Sequence, residues 1–296
     1  MAYIHLTEKG QSRGEFNLPY LIEGEGGGWF RLGKNRSATR HGVVFEAECT
    51  RAVSDVKGPC AVKFLAQQDE VRYDRFQNEL RIMRMLDHKY IAKFIDAGEV
   101  EFESGFRAPW LAMELGETNL RHYVEHVGII EPKALIHLSI QICEALDHVH
   151  SKGIIHRDIK PENFIVLNSE VKMIDFGIAK LKGEDVSGRP MDSLTLTNEF
   201  VGPLFFSSPE MIAYADDKSV PVDHRSDLFQ MGKVLWFIAT GQISAGVPSA
   251  RKCPHKGRFH GIVSRLLNDE PDDRQDSAKI VRDQFVSLGK ATGEFK

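Results

Sequence analysis

The stretch His156-Arg157-Asp158-Ile159-Lys160-Pro161-Glu162-Asn163 sets a carboxylate at 158, an ammonium at 160 and an amide at 163. Eleven residues beyond Asn163 comes Ile174, followed directly by Asp175-Phe176-Gly177. Toward the N-terminus lies Ala61-Val62-Lys63, and Glu79 stands sixteen residues after Lys63. Singly, each piece has an ordinary explanation: a strand lysine is usually a solvated edge, and Asp-Phe-Gly reads as a turn. Four pieces in this order, each on the element type it requires, make coincidence improbable.

The element types come from patterning. Residues 40–47 and 60–65 are β-rich, separated by the polar turn 54–59. Between 73 and 86, Phe76, Leu80, Met83 and Leu86 recur at steps of four and three, which predicts a helix with one apolar face. Strands return at 91–95 and 110–115. After Gly116 the pattern turns helical. Pro132 suits a first turn, and Leu135, Leu138, Ile142, Ala145, Leu146 and Val149 form the stripe that follows. Residues 228–240 are apolar on nearly every face and stop at Gly241, which predicts a helix buried in the centre of a lobe. The expected fold is α+β and bilobal: a strand-rich small lobe with one key helix over 31–115, a larger helical lobe over 116–296, and a hinge near 114–119. Residues 1–30 form an N-terminal extension. Its Phe16, Leu18, Tyr20, Leu21 and Ile22 suggest an extra strand or a strap on the small lobe, with a mobile tail as the alternative.

Composition narrows the class. Of 296 residues, 42% are hydrophobic and 27% charged, which supports a buried core and excludes bulk disorder. Lys plus Arg number 38 against 42 Asp plus Glu, so a net charge of −4 gives no push toward nucleic acid or an anionic membrane. No apolar run reaches the roughly 18 residues of a membrane span, and the first residues lack the build of a signal peptide. Cys49, Cys60, Cys143 and Cys253 are scattered with no paired spacing, which suits reduced thiols in the cytoplasm.

With these residues in order, the chain resembles the eukaryotic-type serine/threonine protein kinases from about residue 32 to 285. The resemblance implies a protein-kinase-like fold and transfer of the γ-phosphoryl group of ATP to a protein hydroxyl. It also implies Mg²⁺, or Mn²⁺ in its place. Lys63 resembles the strand lysine on the α and β phosphates, and Glu79 its partner on the mobile helix. Asp158 would accept or orient the substrate hydroxyl proton, and Lys160 would steady the transferred group. Asn163 and Asp175 are hard oxygen ligands suited to the metal. The adenine walls would be Val44 and Ala61 above and Ile165 below. Met113 resembles the gatekeeper, the backbone of Glu114, Leu115 and Gly116 the hinge, and Gly42 the end of the glycine-rich loop. Asn119 is a candidate for the ribose. Phe94, Met83, Phe176 and His156 match a stacked set, with Asp227 as its anchor. Glu210 and Arg274 resemble the pair that closes the activation segment. The partners implied are ATP and a protein substrate, with neither nucleic acid nor membrane.

The chain departs from the family pattern in several places. The usual first and second loop glycines fall on Ser37 and Thr39, and the run from Gly24 to Gly28 lies too far before Lys63 to serve. Lys34, Arg36 and Arg40 could offset the loss with charge. Pro203 follows Gly202 where serine/threonine kinases usually carry a threonine, and the span from Gly241 to Arg274 is short, so a docking helix is expected to be reduced or lost. Arg157, Lys180 and Arg75 match positions that line an activation-segment phosphate pocket. Glu199 stands where the phosphorylated threonine usually sits, so it would act as a built-in anion, with Thr195 or Thr197 as autophosphorylation sites. Two other functions share the fold: a pseudokinase scaffold, and a small-molecule phosphotransferase.

Overall fold

The computed structural model describes residues 2–8, 11–39, 42–51, 58–181, 205–244, 248–253 and 257–293. The chain divides into two compact units, one of Met1–Asp87 with Ala92–Gly116 and one of His88–Ile91 with Glu117–Lys296. The first is strand-rich and the second mostly helical, so the protein is of mixed α+β class.

In the first unit β1 (Tyr3–Glu8) and β2 (Gln11–Asn17) form an antiparallel hairpin. There follow β3 (Leu21–Glu23), β4 (Trp29–Thr39), β5 (Gly42–Arg51), β6 (Pro59–Phe64), the helix α1 (Glu70–Met85), β7 (Phe94–Glu101) and β8 (Arg107–Glu114). The six later strands make one antiparallel sheet in the order β3-β4-β5-β6-β8-β7. Side chains alternate across a strand, and the sheet uses both faces. Val43, Phe45 and Ala47 of β5, Cys60, Val62 and Phe64 of β6, and Trp110 and Ala112 of β8 belong to one buried apolar cluster. Ile4 and Leu6 of the hairpin, Leu18, and Ile22 of β3 also belong to it, so the N-terminal residues are part of this core. The alternate residues of the same strands meet one another on the opposite face. Val44 pairs with Lys63, and Ala61 with Met113.

α1 starts three residues before the apolar periodicity does, because Asp69 caps it by accepting the Arg72 N–H at 2.9 Å. Phe76, Leu80 and Met83 are buried as the spacing requires, and Glu79 is buried among them. The strand expected from residue 91 begins at Phe94 instead. Ile91 makes an isolated parallel bridge to Met173, and the Tyr90 carbonyl accepts the Met173 N–H at 2.9 Å. Those backbone bonds draw 88–91 into the second unit.

The second unit contains β9 (Thr118–Asn119), α2 (Leu120–Val127), α3 (Pro132–Ser151), β10 (Ile154–Ile155), β11 (Phe164–Leu167), β12 (Glu170–Met173) and β13 (Lys180–Leu181). It continues with α4 (Pro209–Asp216), α5 (His224–Thr240), α6 (Arg258–Leu266) and α7 (Ala278–Ala291). The α3 stripe is buried along its whole length. Every residue of α5 from Ser226 to Ala239 is buried, as its all-round apolar pattern predicts. Asp223 caps its start, and Gly241, at φ 67°, ends it in the left-handed conformation that glycine adopts without strain. Between α5 and α6 the described residues hold one three-residue 3-10 turn, Ala250–Lys252. Among the described residues no helix is long and apolar enough to cross a membrane.

One buried ion pair ties α4 to the segment before α7. Arg274, with no side-chain exposure, donates to both oxygens of Glu210 at 2.7 and 2.9 Å. Ser226 adds a bond to Glu210 at 2.6 Å. Burial alone would push the Glu210 carboxyl up, but the Arg274 and Ser226 hydrogen bonds outweigh it and hold it below the usual range. Arg274→Ala is expected to destabilise the unit by about 3–5 kcal/mol, because it leaves a buried carboxylate without its cation. Denaturant unfolding of variant and wild type measures this. A folded-state pKa below the unfolded value adds stability that is complete above the ordinary glutamate range. That share should vanish as pH falls through the lowered value, so the variant's deficit should shrink in acid.

Candidate active site

The residues singled out in the sequence fall into two groups, one in each unit. In the first unit β6 carries Lys63, and its Nζ lies 2.8 and 2.7 Å from the two carboxylate oxygens of Glu79 on α1. The Glu79 side chain is only 3% exposed and that of Lys63 16%, so the pair is screened little by water. Register puts Val44, Ala61, Lys63 and Met113 on one face of the sheet, which is the face turned away from the apolar cluster. Met113 is buried, and Glu114 follows it at the end of β8. The Glu114 N–H donates to the Lys93 carbonyl at 3.1 Å, and its side chain accepts the Lys93 N–H at 2.8 Å. Leu115 and Gly116 are half-buried and close this unit. At Gly42 a side chain would meet the Phe64 carbonyl at 2.7 Å, so close strand packing alone requires glycine there. Ser37 pairs with Val44 and Thr39 with Gly42 across the β4–β5 hairpin, whose residues 40 and 41, Arg40 among them, lie outside the described residues.

In the second unit the loop after β10 holds the catalytic candidates. Lys160 Nζ donates to Asp158 Oδ2 at 2.7 Å, and Asn163 Nδ2 donates to the same oxygen at 2.9 Å and to the Asp158 carbonyl at 2.7 Å. Both donors converge on Oδ2, which leaves Oδ1 of Asp158 clear of them. Burial works against the Lys160 ammonium, but the carboxylates of Asp158, Asp175 and Glu162 win and raise its pKa. Asn163 closes the 3-10 turn Pro161–Asn163, and its carbonyl accepts the Ile174 N–H at 2.9 Å, one residue before Asp175. Asp175 has φ +65° and Arg157 φ +69°, both in the left-handed region that non-glycine residues rarely enter. Such backbone persists only where surrounding bonds over-determine it.

For Arg157 those bonds come from α5. Asp227, fully buried, accepts the His156 N–H at 2.8 Å on Oδ2 and the Arg157 N–H at 2.7 Å on Oδ1. His150 Nε2 donates to Oδ2 at 2.8 Å. Burial would raise the Asp227 carboxyl, but the His150 hydrogen bond, the nearby histidines and the Arg157 N–H hold it below the usual range. Gln230, one turn on, accepts the Ile159 N–H and donates to the Arg157 carbonyl, both at 3.0 Å. His150 and Gln230 were missed by sequence reasoning. Gln230 has a signal of its own, as one of two polar side chains, with Lys233, between Leu228 and Ala239. The His156 ring packs against Phe176 in a tilted arrangement, with centroids 4.9 Å apart, and burial lowers the His156 pKa. Met83 and Phe94, the other two members of the stacked set, lie in the first unit.

Ile165 is half-buried on β11, directly opposite Asn119 on β9. The Asn119 carboxamide oxygen accepts the His122 N–H at 2.9 Å and so caps α2, an alternative to the ribose role. Asn163 and Asp175 fit a magnesium ion by chemistry. Both present hard oxygens, and the Asn163 amide is oriented by its bonds to Asp158, with the carboxamide oxygen left over. Mg²⁺ binds through one or two carboxylates plus phosphates and waters rather than a full protein cage. No group of three or more His, Cys, Asp or Glu that could hold a metal occurs among the described residues. Thr195, Thr197, Glu199, Gly202 and Pro203 lie outside the described residues.

The model of the protein kinase domain family matches residues 42–252. Among curated proteins, the probable serine/threonine-protein kinase PknB of Corynebacterium glutamicum is 34% identical over 171 residues, 57% of this chain and 25% of that one. Serine/threonine-protein kinase PknB of Mycobacterium tuberculosis is 32% identical over 240 residues, 75% of this chain and 37% of that one. The probable PknB of Lactococcus lactis is 32% identical over 217 residues, 73% and 32% respectively. The aligned part of this chain thus spans between a quarter and two fifths of the length of these relatives. A family match over most of the chain, on the residues whose geometry is given above, means that this chain belongs to the protein kinase domain family.

Proposed function

We propose that this chain is a serine/threonine protein kinase that transfers the γ-phosphoryl group of ATP to a hydroxyl of a protein substrate. The observation that carries the reading is the convergence of Lys160 and Asn163 on one oxygen of Asp158. It holds the carboxylate in a single orientation with the other oxygen presented. A substrate hydroxyl bonded to Oδ1 is aimed by that bond, and its proton passes toward the carboxylate as the oxygen attacks. Lys160, kept charged by its carboxylate neighbours, balances negative charge near Asp158. Lys63 binds the α and β phosphates, and Glu79 pairs with its ammonium and keeps it pointed. Asn163 and Asp175 would hold Mg²⁺, which neutralises phosphate charge when bound. Val44, Ala61, Met113 and Ile165 supply apolar contact for the adenine, and the Glu114–Gly116 backbone its polar edge. Gly42 is assigned to the loop over the phosphates.

The Asp-x-Lys pair at 158 and 160 supports serine or threonine over tyrosine as acceptor, and the names of the relatives point the same way. A cytoplasmic location is supported by Cys49, Cys60, Cys143 and Cys253 forming no disulfide. The Cys60 thiol is pushed up to about 12 by burial, which makes it an inert core residue. The decisive experiment incubates the chain with labelled ATP, Mg²⁺ and a generic basic protein, beside Asp158→Ala. Label on serine or threonine, absent with the variant, is the expected result. ATP binding without transfer by the wild type would favour a scaffold, and label on small molecules alone would favour a small-molecule phosphotransferase.

A further inference from the structure

The run Gly24-Glu25-Gly26-Gly27-Gly28 precedes the matched family region and wraps a carboxylate. Asp96 on β7 is 4% exposed. Its Oδ1 accepts the Gly26 N–H at 3.0 Å and the Ala97 N–H at 2.8 Å, and its Oδ2 accepts the Gly28 N–H at 3.1 Å. A side chain at Gly24 would stand 2.2 Å from Asp96 Oδ2, and one at Gly28 2.8 Å. The glycines are there because the loop backbone closes onto the carboxylate. The same loop crosses between sheet edges. β3 and β7 are the two outer strands, and the Glu25 N–H donates to the Ala97 carbonyl at 2.8 Å.

The loop also presents one side chain to α1. Glu25 accepts from Arg84 Nη2 at 2.9 Å, and the Arg84 guanidinium lies 5.4 Å over the Phe94 ring of β7. Arg84 sits in the last turn of the helix that carries Glu79. Exposed ion pairs are weak by themselves. What gives this one leverage is the buried, charge-assisted cradle that fixes the Glu25 backbone. We infer that Asp96 is a positioning residue. Through the loop it anchors and the Glu25–Arg84 pair that loop presents, it holds α1 so that Glu79 meets Lys63. The inference rests on the kinase reading of Lys63 and Glu79.

The test uses the full chain with Asp96→Ala, Glu25→Ala and Arg84→Ala. It follows amide hydrogen exchange of α1 and Mg²⁺-ATP-dependent transfer. Exchange over residues 79–85 should quicken in all three, while that of β6 and β8 stays as in the wild type. Transfer should fall roughly tenfold in Asp96→Ala and about two- to threefold in the others, within the hundredfold that a ~1 Å misplacement can cost. In a Glu79→Gln background, Asp96→Ala should cost little more, since both act through one contact. Should Asp96→Ala fail to fold, Glu25→Ala and Arg84→Ala decide, because both side chains are exposed. Wild-type exchange of α1 in those two variants, or full additivity with Glu79→Gln, overturns the inference. A wild type without transfer would overturn the kinase reading instead, and the exchange comparison would still decide whether Asp96 holds α1.

Discussion

Asp158→Ala is expected to lower phosphoryl transfer by about 10²–10⁴-fold, the usual contribution of a positioned acid–base group, while ATP still binds. The loss follows from geometry. Lys160 and Asn163 aim the carboxylate, and in the proposed mechanism it is this group that orients the attacking hydroxyl and takes its proton. The variant also removes Asp158 from the carboxylates that raise the Lys160 pKa, so that pKa should fall. Single-turnover transfer measured beside ligand-induced thermal shift separates the two effects. A shift like the wild type's with little product is the expected pattern, since a ligand that binds only the folded state must stabilise it. Loss of both together would mean that Asp158 matters for structure and not for the proton.

Lys63→Met is expected to lower transfer by roughly 10²–10³-fold, as removal of one preorganised charge donor typically does. Here there is a second consequence. Glu79 would be left 3% exposed and without its cation, and a lone buried carboxylate costs more than a missing attraction. Lys63→Met should therefore be less stable than Lys63→Met with Glu79→Gln, although neither transfers phosphate at a useful rate. Chemical denaturation and rate measurements on both variants check this. If Lys63→Met retains more than a few per cent of wild-type turnover, the phosphate role of Lys63 is wrong.

Short-range patterns in this chain were readable because local physics sets them. Apolar residues at steps of three and four mark the buried faces of α1 and α3, and a nearly all-apolar run marks the buried α5. The Glu210–Arg274 pair was legible as a motif match, and the two side chains meet. Element starts were less legible, since they depend on caps. Asp69 and Asp223 begin α1 and α5 earlier than apolar periodicity alone indicates.

The family, the element types and the identity of the catalytic candidates were determined by the sequence alone, because each needs particular residue types at particular spacings. Asp227 was legible as the anchor of the loop that carries them, but the other groups that hold those candidates in place were decided only by tertiary structure. Gln230 reaches the catalytic loop across 71 and 73 residues of sequence, and His150 reaches Asp227 across 77; local periodicity carries no information about partners so distant. The same is true of Asp96 and the glycine run, 68 and 70 residues apart at their two loop bonds. As sequence, Gly24 to Gly28 suggests a misplaced phosphate loop. In the fold those amides surround a carboxylate of the chain itself, because β3 and β7, far apart in sequence, are joined by that loop at the two edges of one sheet.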